Sequence, residues 1–259
     1  MHHLVLDILC THEIDNQSLG RLDYSLLPQQ ALMELFIANV DCEGAFEDEH
    51  ENFLDIAEWE GVTVSPYDGT VIALFFEGIF QDGTLDFAAI PESAVTITIG
   101  MSPCTGTVPW EKLYGGVIYL SLYHCGFHGT VDLTVLPRGL IKLDLVGSNF
   151  SGTLNFCRLP KNPIYLNVAA NALTGRVDLR PIAKTIDEIT ADHENLIVTR
   201  KIPPPDMPLG IDLSRNKLEG DILVTDISGI TDSGQFRGLQ SKSMVDEKGT
   251  TRLLLQEHV

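Results

Sequence analysis

Three groups of residues have the types that do chemistry. In HCGFH, residues 124–128, His124, Cys125 and His128 lie close enough together to suggest soft metal ligation. Asp86, Asp132 and Asp178 recur at intervals of 46 residues, and spaced carboxylates are the usual equipment of general acid–base catalysis. The segment EGAFEDEHENFLD, residues 43–55, concentrates acid. Neither a phosphate-cradling G-x-x-x-x-G-K-[ST] loop nor a G-x-S-x-G nucleophile turn is present.

Spacing decides what these residues are for. Gly83, Gly106, Gly129, Gly152 and Gly175 are separated by four successive intervals of 23 residues. The flanking letters agree: DGTLDF, TGTVPW, HGTVDL, SGTLNF and TGRVDL align Thr84, Thr107, Thr130 and Thr153 in one column. A fixed period of this length is the signature of a stacked-repeat architecture. The three aspartates are then repeat positions, expected as exposed or turn-bonding residues of a short second strand such as Val131, Asp132 and Leu133. The same register sends Cys125 inward and leaves His124 and His128 on the rim, so they do not converge as a metal site. No catalytic residue, metal or cofactor is expected.

Each unit also carries a short apolar alternation: ITI at 97–99, LSL at 120–122, LDL at 143–145, LNV at 166–168 and IDL at 211–213. Period-2 alternation predicts a strand with its first and third residues inward. One strand per repeat, stacked on its neighbours, makes a continuous parallel sheet over a shared core. The glycine of each unit predicts a turn with positive φ. Asn171 and Asn216, four residues before Gly175 and Gly220, are placed to satisfy backbone groups of the turn leaving the strand; Cys125 and Ser148 hold that column in other units.

The pattern L-x-x-L-x-L-x-x-N-x-L-x-G, clearest in YLNVAANALTGRVDL (165–179) and IDLSRNKLEGDI (211–222), resembles the leucine-rich repeat. The G-T-V-D-L ending is similar to the plant-type subclass. The resemblance covers about residues 71–223 and implies an α/β solenoid with a concave parallel β-sheet. In residues 55–74, Trp59, Gly61 and Val62 match the cap phrase C-x-W-x-G-V-x-C of that subclass, while Ala57 and Val64 replace its cysteines. Two departures stand out. Pro109 interrupts the second strand of its unit, and residues 191–210, ADHENLIVTRKIPPPDMPLG, read as a degenerate repeat with Pro203 to Pro205 in its convex loop. Residues 23–40, DYSLLPQQALMELFIANV, predict a helix starting just after Ser25 with Leu32, Leu35, Phe36 and Val40 on one face, an N-terminal helical cap.

The expected organisation is an acidic region and cap over 1–66, a solenoid of about 6–7 repeats over 67–223, and a C-terminal cap or disordered tail over 224–259. The net charge is -19, and residues 1–66 hold fourteen Asp/Glu against one basic residue, Arg21. That field disfavours nucleic acid and anionic lipid, both of which need clustered Lys/Arg. The five cysteines are scattered, with no C-x-x-C, and the N-terminus has no secretory pattern, so a cytoplasmic location is expected, extracellular or membrane-attached if the chain is a fragment. The sequons at Asn16 and Asn149 matter only in that second case.

Residues beside the inward leucines point outward on the concave sheet. One column runs Thr96, Tyr119, Lys142, Tyr165, Glu188; another runs Thr98, Ser121, Asp144, Asn167, Thr190, with Tyr123 alongside. Tyrosine offers large contact area at low entropic cost, although it also suits any exposed strand. The candidate protein-binding residues are therefore Tyr119, Ser121, Tyr123, Lys142, Asp144, Tyr165 and Asn167. The resemblance implies a monomeric, non-enzymatic module binding a protein or peptide there, or the recognition portion of a larger receptor or signalling protein.

Overall fold

The computed structural model describes residues 23–159, 165–191, 196–200, 210–225, 231–232 and 243–253. Strands Val71–Glu77, Thr96–Gly100, Tyr119–Tyr123, Lys142–Asp144, Tyr165–Asn167 and Gly210–Asp212 stack in parallel, the middle of a ten-stranded sheet. Register follows the repeat: Leu74, Ile97, Leu120, Leu143, Leu166 and Ile211 align, each at most 1% exposed. The next inward column, Phe76, Ile99, Leu122, Leu145, Val168 and Leu213, is equally buried. Each such side chain contributes roughly 1.5–3 kcal/mol by leaving water.

Among the described residues a second sheet, of seven strands, forms the opposite wall. Its strands are not the Val131–Asp132–Leu133 type expected, but the residues just before: Thr105–Thr107, Gly126–Thr130, Asn149–Gly152 and Ala172–Gly175. The aspartates instead head turns. Asp86, Asp132 and Asp178 accept hydrogen bonds from the backbone N of Ala88, Thr134 and Arg180, two residues on, as does Asn155 from Cys157. A carboxylate bonding its own chain in this way competes with a strand ladder and wins here. Pro109 therefore interrupts no strand; it occupies the cap position of the 3₁₀ turn Trp110–Lys112.

The marker glycines have φ of 113°, 126°, 95°, 80° and 82°, the positive values their spacing predicts. The inward asparagines also behave as expected. Asn171 Nδ2 donates to the carbonyls of Leu145, Val168 and Ala169, and its Oδ1 accepts from Phe150 N. Asn216 repeats the set one turn later. Ser148 and Cys125 make shorter versions, reaching the carbonyls of Leu122 and Tyr123 respectively.

At the N-terminal end the helix runs Gln29–Ile37, starting three residues later than the sequence suggested. Pro28 holds Leu27 extended, so Tyr24–Leu26 closes as a separate 3₁₀ turn. Val40 leaves the helical face and pairs with Gly83 in the second sheet. The close approach demands glycine: a Cβ there would lie 2.2 Å from Asn39 O. The core of this end is aromatic. Phe46 stacks on Trp59 at 4.4 Å, and Phe36, Phe76, Phe80 and Phe87 form a continuous group of ring contacts.

Beyond Tyr165–Asn167 the expected register changes. The partner of Leu166 is Ile211, so Gly210 and Asp212, not Glu188 and Thr190, continue the two outward columns. Ile186–Ala191 and Leu196–Arg200 form an antiparallel hairpin added outside Gly210–Asp212. Of the degenerate unit, Ala191 and Leu196–Arg200 belong to this hairpin and Gly210 to the next strand; the rest, with Pro203 to Pro205, lies outside the described residues. Ser243–Val245 pairs with Ile222–Leu223 and Thr251–Leu253, and Met244 is fully buried in the core.

Candidate interaction face

Strand alternation gives the concave sheet three outward rows. Register places Ala73, Thr96, Tyr119, Lys142, Tyr165 and Gly210 in the first, and Phe75, Thr98, Ser121, Asp144, Asn167 and Asp212 in the second. Glu77, Gly100 and Tyr123 begin the third. Tyr119, Lys142 and Tyr165 are thus direct neighbours along a line of about 10 Å, two strand spacings.

Two local arrangements fix side chains on this face. Lys142 Nζ stands 3.4 Å from Asp144 Oδ2 and 5.8 Å from the centre of the Tyr165 ring, a range in which a ring quadrupole attracts a cation. Burial, then the nearby Asp144 charge, push the half-buried Tyr165 phenol above its ordinary pKa. One strand over, the Tyr123 hydroxyl donates to Glu77 Oε1 at 2.5 Å, spanning two strands. It crosses over Gly100, where a Cβ would come 2.2 Å from the Tyr123 ring. The glycine makes the bond possible, and the carboxylate acceptor pushes the Tyr123 phenol up to about 12.

The seven candidate residues are not equally available. Tyr119 is 38% exposed, whereas Ser121 is only 5% exposed. Asp144, Asn167 and Asp212 each accept a hydrogen bond from the backbone N two residues on, so part of their capacity is spent shaping the strand exit. Phe75, 48% exposed, and Glu77 belong to the same face but escaped the sequence reading. Their strand, VIALFFE, is apolar at consecutive positions, which hides the alternation. As the register required, Cys125 is buried while His124 and His128 are exposed. Among the described residues no cluster of three or more His, Cys, Asp or Glu is placed to hold a metal, and no helix is long and apolar enough to cross a membrane.

No family model matches the chain, and no curated protein matches it in sequence. Solved structures do. The crystal structure of a Pollen Receptor Kinase 3 is similar with a TM-score of 0.54 and 18% identity, over 82% of this chain and 95% of that one. The chain has the plant-type leucine-rich-repeat fold. The structure of PEPR1-AtPEP1 is similar with a TM-score of 0.55 and 18% identity, over 83% of this chain but only 28% of that one. This leucine-rich-repeat solenoid keeps the Trp59-Gly61-Val62 phrase of the plant-type cap without its cysteines. Trp59 is buried and donates Nε1 to Leu54 O at 2.9 Å, and Gly61 lets the turn pass against the Phe75 carbonyl.

Proposed function

We propose that the chain is a non-enzymatic interaction module that binds a protein or peptide on its concave sheet, around Tyr119, Tyr123, Lys142, Asp144 and Tyr165, with Ser121 and Asn167 forming the floor and margin. The observation that carries this reading is the Tyr119, Lys142, Tyr165 row on a regular sheet, continued by the exposed Phe75 in the row beside it. Aromatic side chains held by neighbours lose little entropy when a partner covers them. The proposed organisation is a cap over 1–66, a solenoid over 67–223 and a terminal element over 224–259, acting as a monomer in the cytoplasm.

A second reading has its own support. The likeness to a receptor kinase structure, and the small share of PEPR1-AtPEP1 that the chain spans, favour the recognition portion of a larger receptor, extracellular or membrane-attached. Affinity capture from source cells with the wild-type chain and a Tyr119→Ala, Tyr123→Ala, Tyr165→Ala triple variant tests the shared site. Partners held by the wild type should be lost from the triple variant while its circular dichroism stays unchanged; identical captured sets would remove the site from consideration. Whether the captured partners are cytosolic or cell-surface proteins separates the two readings.

A further inference from the structure

Cys104 and Cys125 stand 21 residues apart in sequence, and no cysteine motif links them. The second sheet brings them together. Thr105 is the register partner of Gly126, and Gly126 N donates to Cys104 O at 2.9 Å. One step back along both strands Cys104 stands opposite Cys125, and the side chains of parallel register partners project to the same side. That side is the core: the two are 0% and 6% exposed.

Later turns repeat the juxtaposition with other residue types. Phe150 occupies the column of Cys104 and Asn171 the column of Cys125; Phe150 N donates to Asn171 Oδ1 at 2.9 Å. Leu173 and Asn216 make the same contact at 3.0 Å. The inward column residue therefore reaches back to the residue opposite, and in this one turn both are cysteines. The Cys125 thiol donates to the carbonyls of Tyr123 and Ile99, and the neighbouring thiols act on one another, raising the Cys104 pKa and lowering that of Cys125. Neighbouring strands lie about 4.8 Å apart, inside the roughly 4.4–6.8 Å Cα separation that a disulfide spans.

We propose that Cys104 and Cys125 are a disulfide site stapling two successive turns of the solenoid, closed by exchange with a small-molecule disulfide such as oxidised glutathione. The Cys125 thiolate attacks the glutathione disulfide and releases one glutathione thiolate. Cys104, deprotonated in turn, attacks the Cys125 sulfur and releases the second. One S–S bond breaks, one forms, and two electrons and two thiol protons leave with two glutathione molecules. Burial confines exchange to the folding chain and then shields the closed bond. The staple would cross-link two turns beyond a cap in which Ala57 and Val64 stand in place of cysteines, and it rests on no reading of the concave face.

The test uses the full chain with Cys10→Ser, Cys42→Ser and Cys157→Ser, refolded in a glutathione buffer as oxidising as a secretory compartment or in excess reductant. The oxidised sample should show no titratable thiol after denaturation, a mass about 2 Da below the reduced one, and a proteolytic fragment joining both cysteines. Adding Cys125→Ser, the residue type already in that column at Ser102 and Ser148, should restore one thiol and abolish the joined fragment. Two free thiols after oxidative refolding, or stable glutathione adducts in place of the joined fragment, would overturn the proposal. Should the serine variants fold poorly, differential alkylation and peptide mapping of the wild-type chain decide the same question.

Discussion

The N-terminal end and the repeats solve one problem, burying an apolar face, with different materials. The end uses large rings in one-off contacts: Phe46 on Trp59, and Phe36 against Phe76, Phe80 and Phe87. Along the concave sheet the repeats use mostly aliphatic side chains in columns, closed by inward asparagines that bond the backbone of successive turns, and keep their rings, such as Phe127 and Phe150, for the opposite wall. On the concave sheet a repeat meets copies of itself, so Leu, Ile or Val serves at nearly every inward position. The end meets no copy, and its shape must be filled by irregular, bulky side chains.

Deep truncations test that contrast most severely. Trp59→Ala should cost about 3–5 kcal/mol and Leu143→Ala about 2–5 kcal/mol by cavity formation. The cap change should expose its own end first, with hydrogen exchange rising in residues 29–64 before the repeats, whereas Leu143→Ala should lower one cooperative transition. Uniform exchange in both variants would erase the distinction. Next comes the asparagine column: Asn171→Ala takes the partner from the Phe150 N–H and the side-chain donor from Leu145 O, while Val168 O keeps Asn216 Nδ2 and Ala169 O keeps Gly147 N, at roughly 1–3 kcal/mol for each buried group left without a partner. Chemical denaturation showing no loss of stability would mean water replaces the side chain.

A smaller and opposite effect is expected at the strand exits. Gly78, Met101, His124, Gly147, Ala170 and Arg215 all have φ between 50° and 69°, a column of left-handed residues of which only two are glycine. Relieving one of them, Ala170→Gly, should raise stability by about 1 kcal/mol; a lower melting temperature would show that the methyl group matters more than the backbone.

The smallest effect compares two tyrosines. Tyr24 bonds Asp86 at the cap and Tyr123 bonds Glu77 on the sheet, and both phenols are pushed up to about 12 by those acceptors. Because the folded-state values exceed the ordinary 10, this contribution is whole below about pH 10 and disappears as pH rises through 12. An ultraviolet titration should show two tyrosines ionising last, with Glu77→Gln returning one toward 10 and Asp86→Asn the other. Unchanged titration in either variant removes that bond from the account.

Where the letters recur, the chain was legible. Leu143 inside, Lys142 outside and Gly152 at positive φ all follow from one period, because each repeat's environment is made by its neighbours. Reading failed where a single local choice overrode the period. Asp132 bonded its own chain and displaced the expected strand, Pro28 delayed the helix, and a hairpin took Glu188 and Thr190 away from the rows they were assigned. The candidate face was half visible: Tyr119, Lys142 and Tyr165 were placed by register, but the uninterrupted apolar run around Phe75 concealed an exposed aromatic on the same sheet.

The sequence by itself determined the repeat, its inward columns, its turns and the solenoid they build, since those depend on contacts between equivalent positions one period apart. Tertiary structure alone decided the rest: the aromatic closure of the cap, Tyr123 reaching Glu77 over Gly100, and Cys104 meeting Cys125. Glu77 and Tyr123 share one row two turns apart, whereas Cys104 and Cys125 belong to non-equivalent columns, because in the second sheet the register slips so that partners lie 21 rather than 23 residues apart. How far stacked turns slide past one another depends on side-chain packing between the two sheets, and no period written in the letters encodes that offset.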